Sequence, residues 1–396
     1  MHKTAVFTTS SGNYFAFVKT LLQSVRDFHN DIDLYFLLVE ETAAEKILGQ
    51  KDLFHLWFVR DIGIADYKKM AFAYDMVEFN TAVKPFFINY LFNQGYRKVI
   101  YLDPDILVCD RLDAALDVLE NHSIVVTPHQ LSPVTNGDRF ISYIQWEQSA
   151  LLTGIFNLGF IGVANSEEGR AFVGWWSTRC KYMCFLDQEA GLFVDQKWIN
   201  LAICFYPSTY ILRHKGYNMC VWNLHDRVLI NGRVNGVEPL VFYHFSSIDM
   251  NDPEIISRHD KTLKLMDRPD LIDLVCSYRE KVKCNGHDYF RMLPYTYDYF
   301  SDGRKIDLLE RRLYSAVSEN YPDPFSTPSN KFYTELRRKR RSGTIRNGTH
   351  NQRFGESMKK LVRRAVLKIV GIKHYVKILQ RFNVGRSMRD YTYLLD

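Results

Sequence analysis

Lys98–Val108, KVIYLDPDILV, is the stretch that decides how this chain of 396 residues is read. Lys98–Leu102 is an apolar, β-branched run bounded by turn residues, which reads as a buried strand. Asp103-Pro104-Asp105 then forms a turn, and Ile106–Val108 is apolar again. Working outward, Ala5–Thr8 is a short apolar β run and Phe15–Phe28 carries a helical apolar face. Ile32–Val39 reads as a buried strand, Thr42–Gln50 as a helix, and Thr81–Asn93 as a helix ending near Gly95. This alternation predicts an open α/β sheet, largely parallel, with helices on both faces. Ligands of such sheets lie at the carboxyl ends of the strands, where the Asp103–Asp105 turn falls.

Farther along, Leu158–Val163 reads as a strand, and Glu168–Arg179 and Phe193–Cys204 as helices. Asn231-Gly232 predicts a hairpin turn and Pro239–Phe245 a further strand. Residues 252–320 read mainly as helix and loop, and no internal repeat is evident. The Pro-rich break from Pro322 to Pro328 introduces a basic C-terminal segment. These features divide the chain at 1–250, 251–325 and 326–396.

With 46% hydrophobic residues the chain can bury a large core. Its net charge of +6 hides an asymmetry, because Lys and Arg crowd the last part of the chain. The cysteines are odd in number and lack zinc spacing, so reduced thiols are expected. The N-terminal MHKTAVFTTSSGNYF shows no hydrophobic signal core, and no uncharged run reaches the ~20 residues of a bilayer span. The expectation is a cytoplasmic protein, with Asn347 of its N-G-T sequon unmodified.

Two carboxylates one residue apart at a strand end suit a hard divalent cation, Mg²⁺ or Mn²⁺, which takes oxygen ligands and leaves positions for phosphates. Such a cation neutralises charge that grows on a departing diphosphate. The pattern alone is weak, since Asp31 and Asp33 repeat it. Those two read as polar positions flanking a strand start. The bland reading of Asp103 and Asp105 is a capped turn, for which Asp110 before the next helix is the better example.

At YLDPDILV the chain resembles the GT-A-type nucleotide-sugar glycosyltransferases, family 8 most closely or a related bacterial branch, over residues 1–250. The resemblance implies a Rossmann-like open mixed sheet flanked by helices, with a mainly helical C-terminal extension. It rests on ordered blocks. FTTSSGNYFAFVKTLLQSV matches the first strand and nucleotide loop, which implies that Thr8, Ser10, Asn13 and Tyr14 lie near base and ribose. TAVKPFFINYLF matches a helix whose basic residue, Lys84, approaches the donor. FNLGFIGV places Asn157 and Gly159 beside the donor sugar. DQKWIN makes Asp195 a donor-hydroxyl ligand and sets Gln196 opposite the leaving group. His244 in FYHFSSID completes the metal shell with Asp103 and Asp105. The usual Gly and Lys-Pro-Trp after that histidine are replaced by Phe245-Ser246-Ser247-Ile248-Asp249, so Arg213, Lys215 or Arg227 is the expected substitute for the phosphate lysine, and the sequence does not choose among them.

The implied activity is transfer of a sugar from a nucleotide diphosphate sugar, a UDP-sugar by the resemblance, to a glycan or lipid-linked glycan. A role in surface polysaccharide synthesis fits, and retention is favoured over inversion. Should the enzyme invert, Asp195 is the first choice of general base, ahead of Asp187 and Glu189. Each feature also has a plainer explanation. Asp195 and Gln196 suit a helix N-terminus, a lone histidine such as His244 is commonly a satisfied core group, and Gly216–Arg227 (GYNMCVWNLHDR) and Tyr295, Tyr297 and Tyr299 suit packing.

RRKRR at 337–341 precedes an amphipathic pattern. Met358, Leu361, Val362, Ala365, Val366, Ile369 and Val370 form one face, and Lys359, Lys360, Arg363, Arg364 and Lys368 the other. This predicts reversible attachment to an anionic membrane surface on the inner face of the cell membrane. Helix-turn-helix, zinc-finger and RRM-like signatures are lacking, which argues against a nucleic-acid partner. A sugar-phosphate nucleotidyltransferase would need an early Gly-rich, Arg-containing loop, whereas TTSSGNYF has one glycine and no arginine. A nucleotide-sugar binder without turnover is the other alternative.

Overall fold

The apolar runs become strands of one sheet in a computed structural model that describes residues 3–335, except 42, 44–46, 48–52, 136, 138, 319–320, 322 and 328–330. The sheet strands are β1 (Thr4–Ser10), β2 (Asp33–Leu38), β3 (His55–Phe58), β4 (Lys98–Leu102), and, after the short β5 (Ile106–Val108), β6 (Ile124–Pro128), β7 (Phe156–Ala164) and β8 (Thr209–Ile211). Their spatial order is β8-β6-β7-β4-β1-β2-β3. Every pairing is parallel except those of β7, which runs antiparallel to both β4 and β6. The sheet is therefore mixed and largely parallel. β4 is buried along its whole length, as a strand covered on both faces must be.

Helix α1 (Phe15–Phe28) buries Phe15, Phe17, Val18, Leu21, Leu22 and Val25 against the core, the stripe that its sequence predicts. The helix expected over 81–93 is instead two, α2 (Met76–Ala82) and α3 (Lys84–Asn93). Pro85 cannot donate to the Thr81 carbonyl, so the ladder is interrupted there. The remaining helices of this unit include α4 (Asp113–Asn121), α5 (Phe140–Thr153), α6 (Glu167–Met183) and α7 (Ile272–Cys284). Asp110 does not cap α4; Leu112 holds that position without a side-chain bond.

Other local expectations give way to backbone geometry. Phe193–Cys204 is not one helix but a 3-10 turn, Lys197–Leu201, and a short α turn, Ala202–Phe205. Val194 is left-handed, at φ 41°, which a continuous helix cannot include. Pro239–Phe245 is divided between two sheets. Glu238–Pro239 pairs with Arg233–Val234, whereas β9 (Phe242–His244) pairs antiparallel with β5. Asn231 and Gly232, both left-handed, turn the hairpin between Leu229–Ile230 and Arg233–Val234 as expected. Within 252–320 there is also a β-hairpin, Ile255–Ser257 with Asp260–Lys264. The segment 42–50 falls mostly outside the described residues.

The described residues divide into two compact units, one within 1–65, 76–186 and 192–296, the other within 66–75, 187–191 and 297–335. The first contains the sheet and continues past residue 250. In the second, Phe72, Phe300, Ile306, Leu313, Tyr314, Phe332 and Tyr333 form the core. Helix Leu308–Val317 opens with a capping box, Asp307 accepting from the Glu310 N–H and Glu310 from the Asp307 N–H. Buried Arg311 donates to the carbonyls of Ala71, Phe72, Tyr74 and Tyr297. None of the seven cysteines is disulfide-bonded. Among the described residues, no helix is long and apolar enough to cross a membrane.

Candidate metal and donor site

Strand register brings three side chains together at the carboxyl end of β4. Leu102 pairs with Phe160 of β7, so the next residue, Asp103, faces Gly159, whose carbonyl accepts the Asp103 N–H at 2.8 Å. On the other side of the turn, Ile106 of β5 pairs with His244 of β9, and Phe245 N–H donates to the Asp105 carbonyl at 2.8 Å. His244 Nε2 consequently lies 3.1 Å from Asp105 Oδ1 and 3.8 Å from Asp103 Oδ2. One ligand atom from each of Asp103, Asp105 and His244 lies within 4.8 Å of the others. Gly159 makes this possible. A Cβ there would stand 2.5 Å from His244 Cε1 and 2.8 Å from Nδ1.

The arrangement fits a divalent cation beyond mere proximity. Asn218, left-handed at φ 55°, uses its amide nitrogen to donate to Asn157 Oδ1 (3.1 Å) and Thr127 Oγ1 (3.0 Å). Its Oδ1 is thereby the acceptor for His244 Nδ1 at 3.2 Å. With Nδ1–H committed, the Nε2 lone pair faces two carboxylates, which calls for a positive charge between them. Burial disfavours the His244 cation, yet Asp105 and Asp103 overcome it and raise its pKa. The same charge balance lowers that of Asp105: burial pushes up and His244 pulls down harder. Two carboxylate oxygens and one imidazole nitrogen form a donor set that could hold a divalent cation.

Behind this cluster lies an ion pair. Lys84 opens α3, is 2% exposed, and sets its ammonium 3.1 Å from Asp195 Oδ2 and 3.6 Å from Asp103 Oδ1. It also donates to the Leu158 carbonyl at 3.0 Å and lies over the Tyr101 ring. Tyr101 hydroxyl in turn donates to Asp103 Oδ1. Asp195 is buried, with burial outweighing the pull of Lys84, so its carboxyl is raised to about 6. Gln196 beside it is committed to the backbone. Its Oε1 accepts from Leu158 N–H (3.0 Å) and its amide donates to the Thr153 carbonyl (3.1 Å). Asn157 Oδ1 accepts from Gly159 N–H at 3.1 Å.

The carboxyl end of β1 supplies the remaining expected residues. Thr8 and Ser10 are buried, and Thr8 Oγ1 has no hydrogen-bond partner among the described residues. Asn13 Oδ1 accepts from Ser11, and the half-buried Tyr14 stacks on Phe17 at 4.2 Å. Burial, then the charge of Asp105, raises the Tyr14 pKa, which ties the β1 loop electrostatically to the acidic pair.

Among the proposed phosphate-lysine substitutes, Arg227 is buried and donates to the carbonyls of Lys215 and Tyr217, while Lys215 pairs with Asp226 at 3.0 Å. Both are spoken for. Arg213 is exposed. Asn218, Trp222 and Asn223 are buried; Trp222 packs edge-on to His244 at 5.4 Å, and Asn218 orients that histidine. Tyr295 and Tyr297 are buried as packing groups. The basic segment 337–396 lies outside the described residues.

Sequence reasoning missed two groups. Glu40, buried after β2, accepts from Gly12 N–H (2.6 Å) with one oxygen and from Thr296 N–H and hydroxyl (both 2.9 Å) with the other. An acidic residue directly after a buried strand was the available signal. His129, after β6, contacts Asn157 at 3.4 Å; burial holds its pKa at about 4, keeping it neutral. No local pattern marked it.

No family model matches the chain. Over 241 residues, 58% of this chain and 73% of the other, it is 27% identical to the uncharacterized protein YfnD of Bacillus subtilis (strain 168). Among solved structures it is similar to the galactosyltransferase LgtC in complex with donor and acceptor sugar analogs, at 16% identity and a TM-score of 0.41. That likeness covers 71% of this chain and 95% of LgtC. It is also similar to the apo-form glycosyltransferase GlyE of Streptococcus pneumoniae TIGR4, at 13% identity and a TM-score of 0.39, covering 76% of this chain and 66% of GlyE.

Proposed function

We propose that this chain is a metal-dependent glycosyltransferase of the GT-A type that moves a sugar from a nucleotide diphosphate sugar, a UDP-sugar, to a glycan or lipid-linked glycan. The observation that carries the reading is the convergence of Asp103, Asp105 and His244 at the carboxyl end of β4, with His244 oriented by Asn218. A Mn²⁺ or Mg²⁺ ion held by these three would act as Lewis acid toward the leaving diphosphate.

The chain's own groups have separable tasks in this proposal. Thr8, Ser10, Asn13 and Tyr14 take the nucleoside, and the orphaned Thr8 hydroxyl supports a polar ligand there. Lys84 holds Asp103 and Asp195 in place from below the site. Asn157, Gly159, Asp195 and Gln196 lie along the donor sugar. Retention is the favoured outcome, because inversion needs a free carboxylate base beside the acceptor hydroxyl, and the Asp195 carboxylate is already paired with Lys84. The basic segment 337–396 is assigned to the anionic inner surface of the cell membrane, where a lipid-linked acceptor would be met.

The test is a panel of nucleotide sugars with Mn²⁺, Mg²⁺ or chelator, read by release of nucleoside diphosphate and by thermal stabilisation. One donor is expected to give both signals with metal only. Silence of the whole panel, or undiminished turnover in chelator, refutes the reading.

A further inference from the structure

The donor site as described is short of positive charge. Asp103 and Asp105 balance a divalent cation, Lys84 is divided between Asp195 and Asp103, and a nucleotide-sugar diphosphate brings further negative charge that increases as its bond to the sugar breaks. Resting on the function proposed above, the geometry points to Arg258, at the tip of the Ile255–Lys264 hairpin, as the cation that binds the donor diphosphate.

The hairpin register pairs Ser257 with Asp260, so Arg258 and His259 are the two residues of its turn. This tip is docked on the chain immediately following His244. Arg258 N–H donates to the Ser247 carbonyl (2.9 Å), Ser257 hydroxyl donates to the Ser246 carbonyl (2.7 Å), and His259 Nε2 lies 3.3 Å from Ser246 Oγ. Ser247 adopts a left-handed backbone, φ 57°, to present its carbonyl in this way. The turn is stiffened from its other side. Asp260 accepts from Thr262 and Leu263 N–H and pairs with Arg139 at 2.6 Å. His259 packs edge-on to Trp146 at 6.2 Å.

Phe245 and two serines thus separate His244 from the bond that fixes the backbone of an exposed arginine. Its charge reaches the site, for Arg258 opposes the effects of burial and of Asp105 on Tyr14. A guanidinium can donate two parallel bonds to phosphate oxygens, which a surface lysine cannot. Because the turn is pre-set by backbone bonds, little order is lost when the diphosphate arrives. The element lies in the region expected to be helix and loop, which is why Arg258 was not among the substitutes considered from sequence.

The experiment is calorimetric titration of the full chain with UDP and with uridine, each with Mn²⁺, for the wild type, Arg258→Ala, Arg258→Lys and Asp103→Asn. Arg258→Ala should weaken UDP about 10- to 100-fold while leaving uridine unchanged, and Arg258→Lys should fall between. Only the side chain is removed from an exposed turn whose anchoring bond is made by the backbone, so the unliganded melting temperature should not move. UDP binding that is equal in Arg258→Ala and wild type, but lost in Asp103→Asn, overturns the role of Arg258 and leaves the function standing. Wild type that binds neither UDP nor any other nucleoside diphosphate overturns both.

Discussion

The chain contains the same Asp-x-Asp pattern twice, and the two copies meet opposite fates. Asp31 and Asp33 stand at the amino end of β2; Asp103 and Asp105 stand at the carboxyl end of β4. Since β2 and β4 both run parallel to β1, these are opposite rims of the sheet. At the first rim Asp33 is neutralised locally, accepting from Tyr96 hydroxyl at 2.6 Å and facing Lys3 at 3.5 Å, while Asp31 is exposed. At the second, the turn is flanked by β7 on one side and β9 on the other, which deliver Gly159 and His244. The motif alone has no chemistry. The rim supplies it.

The strongest way to break that comparison is charge removal at each rim. Asp103→Asn or Asp105→Asn should lower metal-dependent turnover by at least about 10³-fold, some 4 kcal/mol of lost charge stabilisation. The double change Asp31→Asn with Asp33→Asn should leave turnover within about twofold. Equal losses at both rims would end the distinction.

Next in size is the support beneath the active rim. Lys84→Met leaves Asp195 buried without its partner, and should cost about 3–5 kcal/mol in urea unfolding at pH 7.5. The pH sign follows from Asp195, whose folded carboxyl, near 6, lies above its ordinary value of 3.8. The folded state then binds the proton more tightly than the unfolded one, so this group's penalty is full above about 6 and fades as pH falls toward 4. The cost of Lys84→Met should accordingly shrink at pH 5, where Asp195 can protonate. A cost that is the same at both pH values would show that Asp195 does not carry the effect.

Smaller effects separate geometry from charge. Gly159→Ala sets a methyl group against the His244 ring and should destabilise the fold by about 1–3 kcal/mol. It should also weaken Mn²⁺ binding about tenfold or more by turning the imidazole. Wild-type Mn²⁺ affinity in that variant would mean His244 is not a ligand. Smallest of all, Asp33→Asn alone should lower stability by about 1 kcal/mol, the worth of a partly exposed charged hydrogen bond, with turnover unchanged.

Sequence periodicity located β1, β2, β4 and β7, which carry apolar runs and are buried along nearly their whole length, and did not mark β3, β6 and β8. It failed where backbone conformation, not composition, decides. Val194 in a left-handed turn breaks a run that looks helical, Pro85 splits one helix into two, and Leu240 and Val241 turn their amides to Gly232 and Gly216, dividing one apolar run between two sheets. The acidic pair was legible from its place after a buried strand. Lys84, Asp195, Asn157 and Gly159 entered through the block resemblance, and the structure gathers them. The Asn218–His244 bond, the Glu40 clamp and the Arg258 turn join residues far apart along the chain, and no local pattern announces such pairs.

The reversed direction of β7 has a consequence for engineering the chain. In every parallel neighbour, the segment leaving the strand borders the reactive rim; in β7 the segment entering it does. Length changes between Thr153 and Phe156 would therefore shift Asn157 and Gly159 relative to the acidic turn, whereas the chain beyond Ala164 departs from the far rim. A library meant to retune sugar choice should vary the approach to this strand and leave its exit alone.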